Sequence, residues 1–264
     1  LIEELFIGKK GAAICMMPKT GDVLAFVSAP DYDLNSFAGP VPLELWEGWN
    51  SDTEKPLINR GIQGLYPPGS TFKLIGAALA NEEGKVDQNW TVNCNGVYHL
   101  GDRDFHCWNI AGHGTVNMER AILQSCNIYF YHLIQKLSFK NWKVMAEKFG
   151  FGATTGIDLF GEKRGLVPGK TYMNNKYGRY GWATGNLLTF IIGQGDILVT
   201  PLQVTQMMSI IATRGNTKTP HLLLDNPSEN ITVSLKSKTW DFLQQATWNV
   251  VNHENGTGKA AKVM

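Results

Sequence analysis

NRGIQGLYPPGSTFK, residues 59–73, places a breaker set, Pro67-Pro68-Gly69, directly before a run with helical spacing. From Thr71 to Asn81 the apolar residues Phe72, Leu74, Ile75, Ala78 and Leu79 recur at helical intervals, and Gly84 supplies a stop. Ser70 therefore stands at a helix start, and Lys73, one turn later, lies on the same face. A serine hydroxyl is a poor nucleophile at neutral pH and needs an adjacent base. A helix N-terminus adds positive partial charge that favours an alkoxide-like oxygen, and the Ser70 N–H is placed to donate to an oxyanion. The Ser-x-x-Lys spacing alone arises about once by chance in a chain this long, and it equally describes a helix start with a solvated lysine. What sets it apart is the rigid Tyr-Pro-Pro-Gly lead-in, which fixes where the serine points.

The rest of the chain sets the frame. A length of 264 residues with 43% hydrophobic content suits one large packed domain or two small ones. A net charge of +1 gives no field that would select nucleic acid or an anionic membrane surface. No apolar run is long enough to span a bilayer, and the first residues lack signal-peptide order. Residues 11–17 and 22–28 read as a β-hairpin joined by Pro18-Lys19-Thr20-Gly21, and 29–66 read as loop. Further helices are expected at 117–135, at 141–149 before Gly150, from Leu202 to Ala212 behind Pro201, and from Trp240 to Val251. Residues 153–192 look irregular, and neither a repeat nor an interdomain linker is visible.

The segment around Ser70 resembles the active-serine segment of the penicillin-binding proteins, most nearly the class B, elongation-type penicillin-binding protein 2. Other stretches carry the same resemblance: GAAICMMPKTGDVLAFVSAPDYDLNSF as the opening hairpin, GHGTVNMERAILQSCNIYFY as the helix of the second motif, and IGQGDILVTPLQVTQM before a late helix. It spans nearly the whole chain and implies one D,D-transpeptidase domain over residues 1–264. The implied fold is α+β within the α/β class: an antiparallel sheet flanked by helices, with a mostly helical subdomain. The second motif falls on Ser125-Cys126-Asn127, where Ser125 would relay a proton toward the leaving amine and Asn127 would hold Lys73 and the peptide. A second Ser-x-Asn, Ser228-Glu229-Asn230 behind Asn226-Pro227, reads as chance. So does the one Lys-Thr-Gly, at Lys19, because the family's catalytic Lys-Thr-Gly follows the second motif. The chain is expected to end just short of that third motif, so that the domain is incomplete at its C-terminus.

Four cysteines are present, and Cys94, Cys107 and Cys126 lie between the two motifs with His113 among them. Three thiolates and an imidazole suit a structural zinc ion, although spacings of 13, 6 and 13 residues match no compact zinc finger. Some relatives carry zinc beside the active site, and these four positions resemble that ligand set. A Cys94–Cys107 disulfide, or plain buried thiols with a satisfied loop histidine, remain open readings. Asp104 and His106 are reserve ligands, and Cys15 reads as core packing.

The resemblance thus implies a transpeptidase that cross-links peptidoglycan stem peptides through an acyl-Ser70 and is acylated by β-lactams, with no cofactor needed for the chemistry. Its parent would be anchored at the periplasmic face of the bacterial inner membrane, this part being soluble. It would work beside a membrane glycan polymerase and other elongation proteins. The alternatives are a non-catalytic penicillin-binding sensor or scaffold, or a serine β-lactamase. Against the latter, Glu162 is followed at the Asn position of a Glu-x-x-x-Asn loop by Leu166.

Overall fold

The computed structural model describes residues 1–87, 89–225 and 228–263. A short helix α1 (Ile2–Leu5) precedes the expected hairpin of β1 (Gly11–Met16) and β2 (Val23–Ala29), which pair antiparallel from Gly11↔Ala29 to Cys15↔Ala25 before the register shifts at Met16. Lys19 is exposed in the connecting turn, which closes through Gly21 N–H to Met17 O. Gly21 has φ +82°, and a Cβ there would stand 2.3 Å from Thr219 O, so this turn requires glycine. Strand alternation turns Met16 inward and Cys15 outward; Cys15 is exposed, contrary to the core-packing expectation.

The stretch read as loop contains a 3-10 turn (Leu34–Phe37) and α2 (Leu43–Ser51). Prolines 40 and 42 hid the helix in the sequence, yet Pro42 sits at its N-cap, ahead of the first helical residue, where it breaks no helical bond. No α2 residue is buried, so burial periodicity was absent too. After Pro68 a 3-10 turn (Gly69–Phe72) runs directly into α3 (Lys73–Glu83), closed by Gly84 in the left-handed region. Every α3 residue from Lys73 to Asn81 is buried, marking it as the central helix.

Four short strands follow: β3 (Val92–Cys94), β4 (Val97–Leu100), β5 (Arg103–His106) and β6 (Gly114–Val116). The β4–β5 hairpin is nested in chain order between the paired β3 and β6. Three or four residues are too few to show alternation in a sequence. The helix expected at 117–135 is two: α4 (Met118–Leu123) and α5 (Asn127–Ile134), with Ser125 at φ +54° between them. Next come α6 (Phe139–Lys148), then α7 (Lys170–Tyr177) and α8 (Thr184–Ile191) in the region read as irregular. Only Met173 of α7 is buried, so that helix has no apolar stripe to reveal it.

α9 (Pro201–Ala212) starts as expected, with Pro201 in its first turn and a Thr200–Gln203 capping box. β7 (Asn216–Lys218) and β8 (Asn230–Thr232) pair antiparallel, and α10 (Ser237–Asn252) follows. Asn230 therefore belongs to a strand pair; Asn226-Pro227 lies outside the described residues. The described strands form antiparallel pairs flanked by helices, and the helices hold the main core. In that core Phe72 packs on Trp142 and Phe151, and Trp142 stacks on Phe190. Burying a side chain such as fully enclosed Phe72 contributes about 2–3 kcal/mol and anchors the turn that carries Ser70. No described helix is long and apolar enough to cross a membrane.

Candidate active site

The approach to Ser70 is fixed by backbone. Tyr66 exchanges both hydrogen bonds with Val199 at 2.9 Å, and Gly69 N–H donates to Gly193 O at 2.9 Å. Upstream, buried Arg60 spreads its guanidinium over the carbonyls of Pro30, Glu54, Lys55 and Ile58, pinning the segment that leads in. Ser70 lies in the 3-10 turn, whose three-residue period aligns positions 70 and 73.

The second motif is presented by a broken helix end. Ser125 N–H donates to Ile122 O at 3.0 Å and Cys126 N–H to Ala121 O at 2.8 Å, the bond pair of a Schellman ending with Ser125 at its left-handed position. That turn brings the groups together. Ser125 Oγ donates to Ser70 Oγ at 2.8 Å, while Lys73 Nζ donates to Ser125 O at 2.8 Å, Ser125 Oγ at 3.0 Å and Asn127 Oδ1 at 2.8 Å. Lys73 thus reaches Ser70 through Ser125, a relay that spacing along the chain did not reveal. Three acceptors match the three donors of the ammonium. Burial at 2% exposure lowers the Lys73 pKa to about 8, partly offset by electrostatic attraction to the Cys126–Cys107 pair. A lysine so placed is neutral in an appreciable fraction near neutral pH. Asn127 Nδ2 donates to His106 O at 3.3 Å, which orients the carboxamide toward Lys73.

The cysteine cluster forms as expected beside this relay. The donor atoms of Cys94, Cys107, His113 and Cys126 all lie within 4.8 Å of one another. His113 Nδ1 is 3.6 Å from Cys94 Sγ and 3.5 Å from Cys107 Sγ. Tetrahedral zinc with ordinary Zn–S and Zn–N bonds sets S···N at about 3.5 Å, so donor types and spacing fit that ion. All three thiols are buried and free. The Cys126 thiol as hydrogen-bond partner lowers the Cys107 pKa to about 4, against the opposing effect of burial; the same pairing drives Cys126 up. The reserve ligands stay outside: Asp104 pairs with His99 at 2.6 Å, and His106 contributes its carbonyl. Cys126 sits between Ser125 and Asn127, and Asn127 N–H donates to Cys107 Sγ at 3.4 Å, so cluster and relay share a backbone.

Ser70, Ser125 and Asn127 open into a cleft of about 750 Å³. Its walls include residues the sequence did not single out: Trp108, Gln124, Gln194, Glu254 and Lys259. Trp108 follows a cysteine and Gln194 stands between two glycines, which were the available signals. Lys19 and Glu162 do not line the cleft; the Glu162 carboxylate accepts from Thr155 N–H and Gly156 N–H.

The sequence model described as Penicillin binding protein transpeptidase domain matches residues 11–264. The chain belongs to that family. It is 33% identical to the peptidoglycan D,D-transpeptidase MrdA of Acinetobacter baumannii over 97% of its own length and 39% of the relative's, and 31% identical to MrdA of Escherichia coli over 97% and 42%. The chain thus spans about two fifths of the curated relatives it matches. Among solved structures, the penicillin-binding protein PBP2 of Helicobacter pylori superposes with a TM-score of 0.92 at 33% identity, over 98% of this chain and 50% of that one. Pseudomonas aeruginosa PBP2 in complex with WCK 5153 gives 0.89 at 33%, over 98% and 62%. The expected transpeptidase-like fold is therefore the fold observed.

Proposed function

We propose that this chain is the acyl-transfer part of a peptidoglycan D,D-transpeptidase, with Ser70 as nucleophile, Lys73 as base, Ser125 as proton relay and Asn127 holding Lys73. The observation that carries this reading is the Ser70–Ser125–Lys73 hydrogen-bond chain opening into the cleft. With Lys73 neutral, both hydroxyls reverse direction. Ser70 Oγ bonds to the carbonyl carbon of the penultimate D-Ala of a stem peptide, its proton passes to Ser125, and the proton of Ser125 passes to Lys73. The C–N bond then breaks, the proton returns through Ser125 to the leaving nitrogen, and terminal D-Ala departs. An amine of a neighbouring stem attacks the ester and gives its proton to the same relay, and Ser70 recovers its hydrogen. In a β-lactam the leaving nitrogen stays tethered, which favours a persistent acyl-enzyme.

Cys94, Cys107, His113 and Cys126 would hold a structural zinc ion, which supplies charge neutralisation for three thiolates and cross-links the β3–β6 pair to the Ser125–Asn127 turn; the acyl transfer does not require it. Native mass spectrometry should find one zinc per chain, and chelation should lower the unfolding midpoint. A metal-free chain with an unchanged midpoint refutes the ion's role.

The relatives' names, peptidoglycan D,D-transpeptidases, support a site of action at the cell wall, and the periplasmic face of the inner membrane is the location proposed. The solved complex of Helicobacter pylori PBP2 with MreC, and a peptidoglycan synthase complex that coordinates polymerization and crosslinking, support elongation proteins and a glycan polymerase as partners. The deciding experiment is intact mass of the full-length protein with benzylpenicillin. One adduct that disappears in Ser70→Ala is expected. No adduct on the unaltered protein overturns the acyl-transfer reading and leaves a non-catalytic scaffold.

A further inference from the structure

We propose that Gln194 is a substrate-binding residue whose carboxamide hydrogen-bonds the peptide backbone of the acyl donor; this rests on the transpeptidase reading above. The cleft around Ser70 is rich in carboxamides, but most are committed. Asn109 donates to Gly112 O and accepts from Ala111 N–H, Gln124 Oε1 accepts from Arg120, and Asn127 spends its oxygen on Lys73. Gln194 and Asn255 line the same cleft with side chains that bond to none of the described residues.

Gln194 differs from Asn255 in being registered to the nucleophile. Its neighbour Gly193 accepts the N–H of Gly69, and a Cβ on Gly193 would stand 2.1 Å from Gly69 O, so the two backbones touch one residue away from both Ser70 and Gln194. Gly195, at φ +77°, turns the chain on the other side, and Gln194 N–H is held by Thr189 O at 2.9 Å. Two residues on, Asp196 is clamped to α7 by Lys176 at 2.6 Å and Tyr177 OH at 2.7 Å. An exposed, uncommitted carboxamide is thus held on a rigid loop at a fixed offset from the attacking oxygen. It offers one acceptor and two donors, the complement of a peptide's N–H and C=O.

The test uses the full-length protein, its Gln194→Ala variant and its Gln194→Met variant, which keeps the side-chain volume without the hydrogen bonds. Steady-state D-alanine release is measured with an acyl-D-alanyl-D-alanine peptide, alongside acylation by benzylpenicillin. Both variants should raise KM about tenfold with kcat changed less than about twofold, as for loss of uniform binding. Their unfolding midpoints should match the unaltered protein, since the side chain supports nothing else. An unchanged KM in Gln194→Ala overturns the inference while penicillin acylation keeps the functional reading; an unchanged KM in Gln194→Met alone shows that shape, not hydrogen bonding, matters and overturns it equally. Absence of penicillin acylation in the unaltered protein removes both.

Discussion

Two helices in this molecule end in the same hydrogen-bond pattern with different residues at the critical position. At the end of α6, Gly150 N–H bonds to Glu147 O and Phe151 N–H to Ala146 O, with Gly150 at φ +90°. At the end of α4, Ser125 and Cys126 make the equivalent bonds with Ser125 at φ +54°. Glycine adopts that conformation freely, whereas a residue with a Cβ is strained by about 1–2 kcal/mol. The Gly150 turn only reverses the chain over the core. The Ser125 turn directs a carbonyl and a hydroxyl of one residue at Lys73 and that hydroxyl at Ser70. Strain is accepted where the side chain has work that glycine lacks the atoms to perform.

That contrast can be broken in several ways. Ser125→Ala keeps the strained turn but removes the relay, so penicillin acylation should fall by about 10²- to 10⁴-fold with the unfolding midpoint little changed. Fast acylation in this variant would mean that Lys73 reaches Ser70 directly. The next effect is on pH: burial lowers the Lys73 pKa to about 8, so the acylation rate should rise about fivefold from pH 7 to pH 8 and level off above about pH 9, as the amine loses its proton. A rate still climbing to pH 10 would show Lys73 unperturbed. Gly150→Ala puts a Cβ at a left-handed position where Gln206 Oε1 lies 3.0 Å away, and should cost about 1–2 kcal/mol in urea unfolding while leaving acylation intact. Ser125→Gly is the mirror image: it should gain up to about 1 kcal/mol and lose acylation as Ser125→Ala does. No gain in stability would mean that the hydroxyl's hydrogen bonds outweigh the backbone strain.

Much of this architecture was legible along the chain because its signals are local. Pro67-Pro68-Gly69, Pro201 and Gly150 each act within one turn, and each produced the expected boundary. The helix across 117–135 was misread because Ser125 carries no helix-stop signal; nothing in residue type announces that a serine takes a glycine's conformation. α7 and the short strands were missed because one buried residue, or three alternating ones, make no period.

The site divides along the same line. One turn of helix put Ser70 and Lys73 on the same face, and thiol chemistry with the family resemblance grouped Cys94, Cys107 and Cys126 with His113, which the structure brings together. Only tertiary structure placed Ser125 Oγ between Ser70 and Lys73, partners 55 and 52 residues away, and set Gln194 beside them through the Gly69–Gly193 contact. Contacts at that separation are decided by how α3 packs against α4 and α5 and how residues 66–69 pair with 193–199, and by the burial that favours the neutral amine of Lys73, which can then accept a proton. Packing and desolvation belong to the assembled core, and no local stretch of sequence carries them.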